Sequence, residues 1–130
     1  MPANIYAACA AISAAIAVSM GAFAAHGLKS ILSAYQLDII DTGVQYQFYH
    51  ALALLVVAWM HQQRPARLLK LSAAAFLVGT LCFSGSLYLL ALTGIRGLGV
   101  ITPIGGVAFI IGWFMVATHC WQNKGNTDAS

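Results

Sequence analysis

The sequence predicts an all-α integral membrane protein: a four-transmembrane-helix bundle with a short amphipathic interfacial helix between the first and second spans. Two features of composition predict this class, since 61% of the 130 residues are hydrophobic and only 7% are charged. Soluble domains have about 45–50% apolar and about 25% charged residues, and a chain this short exposes too much surface to hide such an excess. The length indicates one membrane domain, residues 1–130.

The third feature is a series of four uncharged apolar stretches. About 20 apolar residues in a helix cross a hydrocarbon core of about 30 Å, and a helix satisfies its own backbone hydrogen bonds in lipid. We predict spans over residues 5–25, 43–61, 71–92 and 102–121, followed by a polar tail over residues 122–130.

An alternative for the first span is a cleaved signal peptide, because Ala22-Phe23-Ala24 resembles a signal-peptidase site. No Lys or Arg precedes this apolar run, and the run is longer than the roughly 7–15 apolar residues of a signal peptide. We therefore expect the first span to stay uncleaved.

Capping patterns predict where two of the spans begin. Thr42 followed by Gln45 has the form of a capping box at the start of the second span. Thr102 followed by Pro103 fits an N-cap and a first helical residue for the fourth span. Before Thr42, five apolar residues share one helical face and predict the interfacial helix: Leu28, Ile31, Leu32, Tyr35 and Ile39.

Small residues at helical spacing predict where the spans pack, because close backbone approach stabilises helix association in lipid. The first span has such a row at Ala7, Ala11 and Ala15, the third has Ala75 and Gly79, and the fourth has Gly105, Ala108 and Gly112 on one face. We read these rows as structural seams of the bundle.

Basic residues in short loops predict the orientation. The side with the middle loop and the tail has Arg64, Arg67, Lys70 and Lys124, whereas the other side has only Lys29 and Arg96. We therefore expect both termini in the cytoplasm, and we call the opposite side the outer face.

The sparse charge excludes one class of partner. A net charge of +3 without clustered Lys or Arg is no nucleic-acid footprint. Cys9, Cys82 and Cys120 lie in apolar surroundings without metal-site or disulfide spacing, so we predict buried hydrophobic side chains. We assign no metal ligand and no cofactor.

Polar side chains from four segments fall near the outer face, and they are the candidate site. Of these, His50 lies about 12 Å of helix rise from Thr42, and ionisable groups at such depth are usually paired or functional. We predict that His26, Tyr46, His50 and Arg96 surround a small polar pocket or join an interhelix hydrogen-bond network. The full cluster is His26, Gln45, Tyr46, His50, Ser84, Tyr88, Arg96 and Thr102.

Catalytic chemistry has little support, and we assign no catalytic residue. His26 and His50 without a supporting motif are a weak pattern for a haem or metal. For nucleophilic catalysis by Ser84 or Ser86 with His50, the carboxylate that orients the base would have to come from the loop, and the sequence has no nucleophile elbow. Ion-coupled transport usually needs a carboxylate within the membrane, and Asp38 and Asp41 lie outside the spans.

An anionic group, such as a lipid phosphate, is a candidate ligand of the outer face. The second and fourth spans begin there, so their helix dipoles place partial positive charge at this side. Lys29 and Arg96 add positive charge, while Asp38 and Asp41 oppose it.

Four ordered motifs carry a resemblance that covers nearly the whole chain: GAFAAHGL at residues 21–28, YQFYHALAL at 46–54, FSGSLY at 83–88 and TPIGG at 102–106. Together they resemble the small bacterial inner-membrane family called domain of unknown function 423, which is similar to the eukaryotic transmembrane protein 256-like proteins. Ala24 departs from the Gly expected there. The resemblance implies a multi-pass inner (plasma) membrane protein and carries no catalytic residue.

Three functions remain as hypotheses. The favoured one is a non-enzymatic protein that binds a membrane lipid or small solute, or supports a larger assembly, through the outer-face cluster. The second is a passive channel or carrier for a small solute. The third is an intramembrane haem or metal protein, or an enzyme, that uses His26 and His50. Small-residue faces also make a homo-oligomer, or a subunit of a larger membrane assembly, an expected partner state.

Overall fold

Five α-helices make up the structure, a computed structural model that describes residues 2–127, with side chains described through residue 124. They are α1 (Ala3–His26), α2 (Ala34–Gln63), α3 (Arg67–Gly79), α4 (Gly85–Thr93) and α5 (Ile101–Thr127). A π-helical turn over Thr80–Ser84 joins α3 to α4 without a break, and a 3₁₀ turn over Arg96–Val100 precedes α5. No strand occurs within residues 2–127, and the all-helical prediction is confirmed.

Three of the helical segments are long and apolar enough to cross a membrane: Ala3–His26, Arg67–Thr93 and Arg96–Lys124. They contain the predicted first, third and fourth spans. The second predicted span lies in α2, which is long enough, with 30 residues, but does not meet the same standard of hydropathy. Polar residues such as Gln47 and His50 lower the hydropathy of α2, and both are buried between helices.

If residues 67–93 are taken as one continuous segment, each long helical segment packs mainly on its neighbours along the chain. α1 packs on α2, α2 also packs on α3, the π-helical turn and α4, and α5 packs on α3 and the π-helical turn. Consequently α2 and the continuous segment 67–93 each have helices on more than one side. The side chains of α1 and α5 that point away from the bundle are large and apolar, for example Ile12, Val18 and Phe114.

Two apolar clusters mark the two ends of the bundle. One lies toward residues 64–66, which we call the Pro65 end, and includes Tyr6, Leu54, Leu69 and Phe76. The other lies toward residues 27–33 and 94–100, which we call the His26 end, and is built around Leu28, Ile40 and Ala91. The polar contacts described below lie largely between these clusters.

The predicted start of the second helix is wrong. Residues 28–33 form turns, and α2 begins at Ala34, so no separate interfacial helix lies between the first two long helices. Ser33 is the N-cap, and it forms a capping box with Gln36. Thr42 lies inside α2, where its hydroxyl donates to the carbonyl of Asp38. The capping box formed by Ser33 and Gln36 therefore sets the N-cap of α2 nine residues before Thr42.

The fourth predicted span differs less. α5 begins at Ile101, one residue before the predicted N-cap Thr102, and such boundaries vary by one or two residues. Residues 122–127 of the predicted polar tail continue α5. The last three residues of that tail, 128–130, lie outside the described residues.

The seam predicted on α1 is wrong at Ala11 and Ala15, although Ala7 packs against the core, and the seam on α5 is confirmed at its two glycines. α1 turns Tyr6, Ala10 and Ala17 toward α2, while Ala11 and Ala15 are exposed. Ten alanines in the first span place small residues on every face, so spacing alone cannot select the packed one. On α5, by contrast, Gly105 and Gly112 are buried against Phe83 and Phe76.

Candidate functional site

The π-helical turn positions two serines that hold neighbouring helices. Ser84 Oγ, at the end of this turn, donates to the backbone carbonyl of Gly43 on α2 at 2.7 Å. Ser86 Oγ donates to the Phe83 carbonyl at 2.9 Å and lies 2.6 Å from Thr102 Oγ1 on α5. Since the single Ser86 proton goes to Phe83, Thr102 is the donor in that pair. A π-helical turn inside an α-helix often marks a functional position. Here Ser84 and Ser86 form hydrogen bonds with α2 and α5, the helices on either side.

Close approach of α5 to the π-helical turn depends on Gly105. A Cβ placed at Gly105 would lie 2.8 Å from the Cα of Phe83, which is backbone and cannot move aside. At Gly43 on α2, a Cβ would lie 2.7 Å from the Tyr88 ring. These two glycines therefore let α5 and Tyr88 pack within contact distance of the helix beside them.

Gln47 on α2 joins three helices through one side-chain amide. Its Nε2 donates to the Ser13 carbonyl at 3.2 Å and to Ser13 Oγ at 3.3 Å, both on α1. Its Oε1 accepts from the Tyr88 hydroxyl on α4 at 2.6 Å. Gln47 is buried and out of reach of water, so these bonds satisfy amide groups that would otherwise have no hydrogen-bond partner. α1, whose contacts are almost wholly with α2, is thereby tied to α4 as well.

His50 is buried among aromatic side chains and uses both of its ring nitrogens. Nδ1 lies 2.7 Å from the Tyr46 carbonyl, and the indole N–H of Trp113 on α5 donates to Nε2 at 3.0 Å. The imidazole stacks on Phe109 with ring centroids 3.6 Å apart. Because indole can only donate, Nε2 is the acceptor and Nδ1 carries the proton, so the described arrangement holds a neutral histidine.

This arrangement bears on the haem and metal hypothesis. To bind a metal, His50 would need a free lone pair on a ring nitrogen. Its one ring lone pair, on Nε2, accepts the indole N–H of Trp113. His26 is exposed at the last turn of α1 and makes no side-chain hydrogen bond with any described residue. The geometry therefore supports a structural role for His50, as a link between α2 and α5.

The predicted cluster divides into interior and surface residues. His50, Ser84, Tyr88 and Thr102 make the helix-to-helix bonds described above, and the Tyr46 ring packs on Phe83 at 4.7 Å between centroids. Gln45 is exposed, and its amide donates to Asp41 at 2.9 Å. Arg96 is exposed in the 3₁₀ turn, apart from the interior bonds. Within residues 2–124 every buried side-chain nitrogen or oxygen has a hydrogen-bond partner.

Arg96 lines a cleft of about 620 Å³ at the His26 end, between the start of α2 and the end of α4. Apolar walls come from Tyr35, Ile39 and Leu90, and none of the described residues that line this cleft is acidic. Neither the Arg96 guanidinium nor the Tyr35 hydroxyl has a side-chain partner in the described part of the chain. Asp38 and Asp41 line a different cavity, between α1 and α2. The acidic residues therefore do not offset Arg96 within its own cleft.

Three residues that take part in these helix-to-helix hydrogen bonds were absent from the predicted cluster: Ser13, Gln47 and Trp113. Gln47 lies four residues after Gly43 and three before His50, so it shares their helical face. This spacing could have placed Gln47 in the predicted cluster. Ser13 and Trp113 had no such signal, because interfacial Trp and small polar residues are common in membrane helices. Their partners come from other helices and cannot be derived from spacing within one.

Comparison with known proteins gives a consistent result. The family model described as "Protein of unknown function (DUF423)" matches residues 20–106. The chain is 45% identical over 121 residues to a "UPF0382 membrane protein" of Haemophilus influenzae, covering 93% of this chain and 97% of that protein.

Two further relatives carry similar names. The chain is 48% identical to the "UPF0382 membrane protein YwdK" of Bacillus subtilis, with 82% of this chain and 87% of that protein covered. It is 43% identical to the "UPF0382 inner membrane protein YgdD" of Escherichia coli K12, with 82% of each covered. No solved structure matches this chain.

Proposed function

Because the chain belongs to the DUF423 family of membrane proteins, whose name assigns no activity, we propose a function from geometry: non-enzymatic binding of anionic membrane lipid at the His26 end. The observation that carries this proposal is the cleft around Arg96: its walls are apolar, and no described residue pairs with the guanidinium or places a carboxylate in the lining. Guanidinium matches phosphate oxygens in geometry and charge.

The position of the cleft suits a phospholipid rather than a soluble anion. The walls made by Tyr35, Ile39 and Leu90 offer apolar surface beside the Arg96 charge. Tyr and Arg at the end of a membrane helix lie at headgroup depth. We propose that phosphate binds Arg96 while the glycerol and upper acyl chain lie against the apolar walls.

The membrane arrangement that goes with this proposal has four spans. α2, the second along the chain, is added to the three segments that are long and apolar enough to cross a membrane. α2 has 30 residues, a length of about 45 Å, and its buried polar residues face other helices rather than lipid. The excess of basic residues near the Pro65 end supports cytoplasmic termini and an outer, periplasmic His26 end. The proposed location is the inner membrane of a bacterium, which is the location that the name of the Escherichia coli relative gives for that protein.

The proposed topology is tested by single-cysteine labelling of a variant without native cysteines. A membrane-impermeant maleimide added to intact spheroplasts should label Arg96→Cys, and it should label Pro65→Cys only after the membrane is opened. The reverse pattern would invert the topology, and labelling of both sites in intact spheroplasts would refute an odd number of spans between them.

Lipid binding is tested by native mass spectrometry of the purified protein with equal amounts of phosphatidylglycerol and phosphatidylcholine. Arg96→Gln should lower retention of phosphatidylglycerol by about fivefold, since one basic residue near an anionic surface contributes about 1 kcal/mol. Arg64→Gln, which removes an exposed cation at the Pro65 end, is the matched control and should leave retention unchanged. Equal losses in both variants, or equal retention of both lipids by the unaltered protein, would refute the proposal.

The other two hypotheses have less support from the geometry. A channel needs a polar path, whereas the polar side chains between the helices bond to one another or to a backbone carbonyl. A haem or metal protein needs a free nitrogen on His50. Solute flux in proteoliposomes, or a Soret band or bound metal lost in His50→Ala, would overturn the proposed binding function in favour of one of them.

A further inference from the structure

A second groove lies between α1 and α2, and it shares no lining residue with the Arg96 cleft. Two cavities form it, of about 310 Å³ and about 430 Å³. Gly21 and Val44 line both cavities, so the two adjoin each other along the helix pair. One half is charged and lies at the His26 end, and the other half is apolar and lies farther along the helices.

Small residues on α1 keep this groove open. Ala17, Gly21 and Ala22 form one wall, and a Cβ at Gly21 would already lie 3.4 Å from the Val44 side chain. Val18, Phe48 and Tyr49 complete the apolar half, and all three are exposed. An exposed apolar groove on a membrane helix pair is a surface against which an acyl chain can lie.

The charged half contains one cation and two anions. Lys29, Asp38 and Asp41 all line it, and all three are exposed. None of them forms an ion pair with a described residue. Gln45 donates to Oδ2 of Asp41 at 2.9 Å, which orients that carboxylate and leaves its other oxygen available.

We propose that this groove binds a phospholipid whose headgroup carries a phosphate and a primary ammonium, of the phosphoethanolamine class. Lys29 binds the phosphate, the Asp38 and Asp41 carboxylates accept from the ammonium, and an acyl chain lies along Val18 and Phe48. The net charge of the three side chains is negative, which disfavours a purely anionic headgroup. A trimethylammonium headgroup has no N–H to donate, so it loses the hydrogen bonds to the carboxylates.

The groove extends far enough for both parts of such a lipid. Asp41 and Phe48 are seven residues apart on α2, a distance of about 10 Å along the helix axis. Asp41 lies near the predicted headgroup level, and Phe48 lies at the depth of the upper acyl chains. Headgroup and chain can therefore contact the same groove at once.

The test is competition between phosphatidylethanolamine and phosphatidylcholine of identical acyl chains, scored by native mass spectrometry of the purified full chain. The unaltered protein should retain about two- to fivefold more phosphatidylethanolamine, the range expected for exposed charge pairs. The double variant Asp38→Asn, Asp41→Asn should lose this preference. Arg96→Gln should keep it, and this separates the groove from the lipid site proposed above.

A second pair of variants tests the apolar half without altering the charges. Ala22→Trp, on an exposed position of the groove wall, should lower retention of phosphatidylethanolamine. Ile16→Trp, exposed on the same helix outside the groove lining, should leave it unchanged. Equal retention of the two lipids by the unaltered protein, or a preference that survives the double Asp variant, would overturn the proposal. A loss confined to Arg96→Gln and phosphatidylglycerol would bear only on the first site.

Discussion

Trp113 on α5 donates its indole N–H to Nε2 of His50 on α2 across 3.0 Å. The indole ring is half exposed on the surface of the bundle, whereas its N–H points toward α2. His50 in turn donates from Nδ1 to the Tyr46 carbonyl, one helical turn back. The bond thus links two helices that otherwise pack mainly on the segment between them, and it fixes the tautomer of the histidine.

Removal of this donor should destabilise the bundle. Trp113→Phe keeps an aromatic ring and leaves the His50 Nε2 lone pair unsatisfied, which should lower the free energy of unfolding by about 1–2 kcal/mol. Denaturation by SDS in mixed micelles measures this free energy of unfolding. Trp59→Phe is the matched control, since Trp59 is exposed on α2 and takes part in no hydrogen bond with a described residue. Equal stability of the two variants would show that the Trp113 bond contributes nothing.

The bridge through Gln47 predicts energetic coupling between α2 and α4. Tyr88→Phe and Gln47→Leu each remove one partner of a 2.6 Å bond. A double-mutant cycle should therefore give a coupling energy of about 0.6–1.7 kcal/mol, the range measured for hydrogen bonds between membrane helices. Tyr35→Phe, at an exposed tyrosine, serves in place of Tyr88→Phe as the control pair and should give no coupling to Gln47→Leu. Strict additivity in the first cycle would contradict the bridge.

Gly105 and Gly106, which are adjacent on α5, should respond differently to replacement by alanine. Gly105→Ala places a methyl group against the Phe83 backbone and should destabilise the protein by about 1–3 kcal/mol. Gly106→Ala meets nothing closer than 3.8 Å, so it should be neutral or stabilising by up to about 1 kcal/mol, because alanine favours helix over glycine. Thermal unfolding in detergent compares the two. A Gly105 variant as stable as the Gly106 variant would refute the close packing of α5 on the π-helical turn.

The observed start of α2 predicts which cap matters. Ser33→Ala removes the side-chain acceptor of the Gln36 N–H and should cost about 1 kcal/mol. Thr42→Ala removes only a hydroxyl that donates back to the Asp38 carbonyl within the helix, and it should change stability by less than about 0.5 kcal/mol. Unfolding of both variants under one set of conditions decides between the two helix starts. A larger loss at Thr42 would favour a helix that begins there.

The sequence by itself determined the membrane class, the helical fold, three of the long apolar segments and the family. These follow from composition and from the length of uncharged stretches, properties that lipid selects without regard to packing. It also identified His50, Ser84, Tyr88 and Thr102 as polar positions, because a polar side chain inside an apolar run is visible in one dimension.

Only the tertiary structure decided what those positions bond to. The acceptor of Ser84 is a carbonyl on α2, the donor to His50 is an indole on α5, and Asp38 and Asp41 line a different groove from Arg96. Partners such as these depend on which face of each helix turns inward. In an Ala-rich helix several faces are equally small and apolar, so the packed face is selected by contacts between helices that no spacing within one helix encodes.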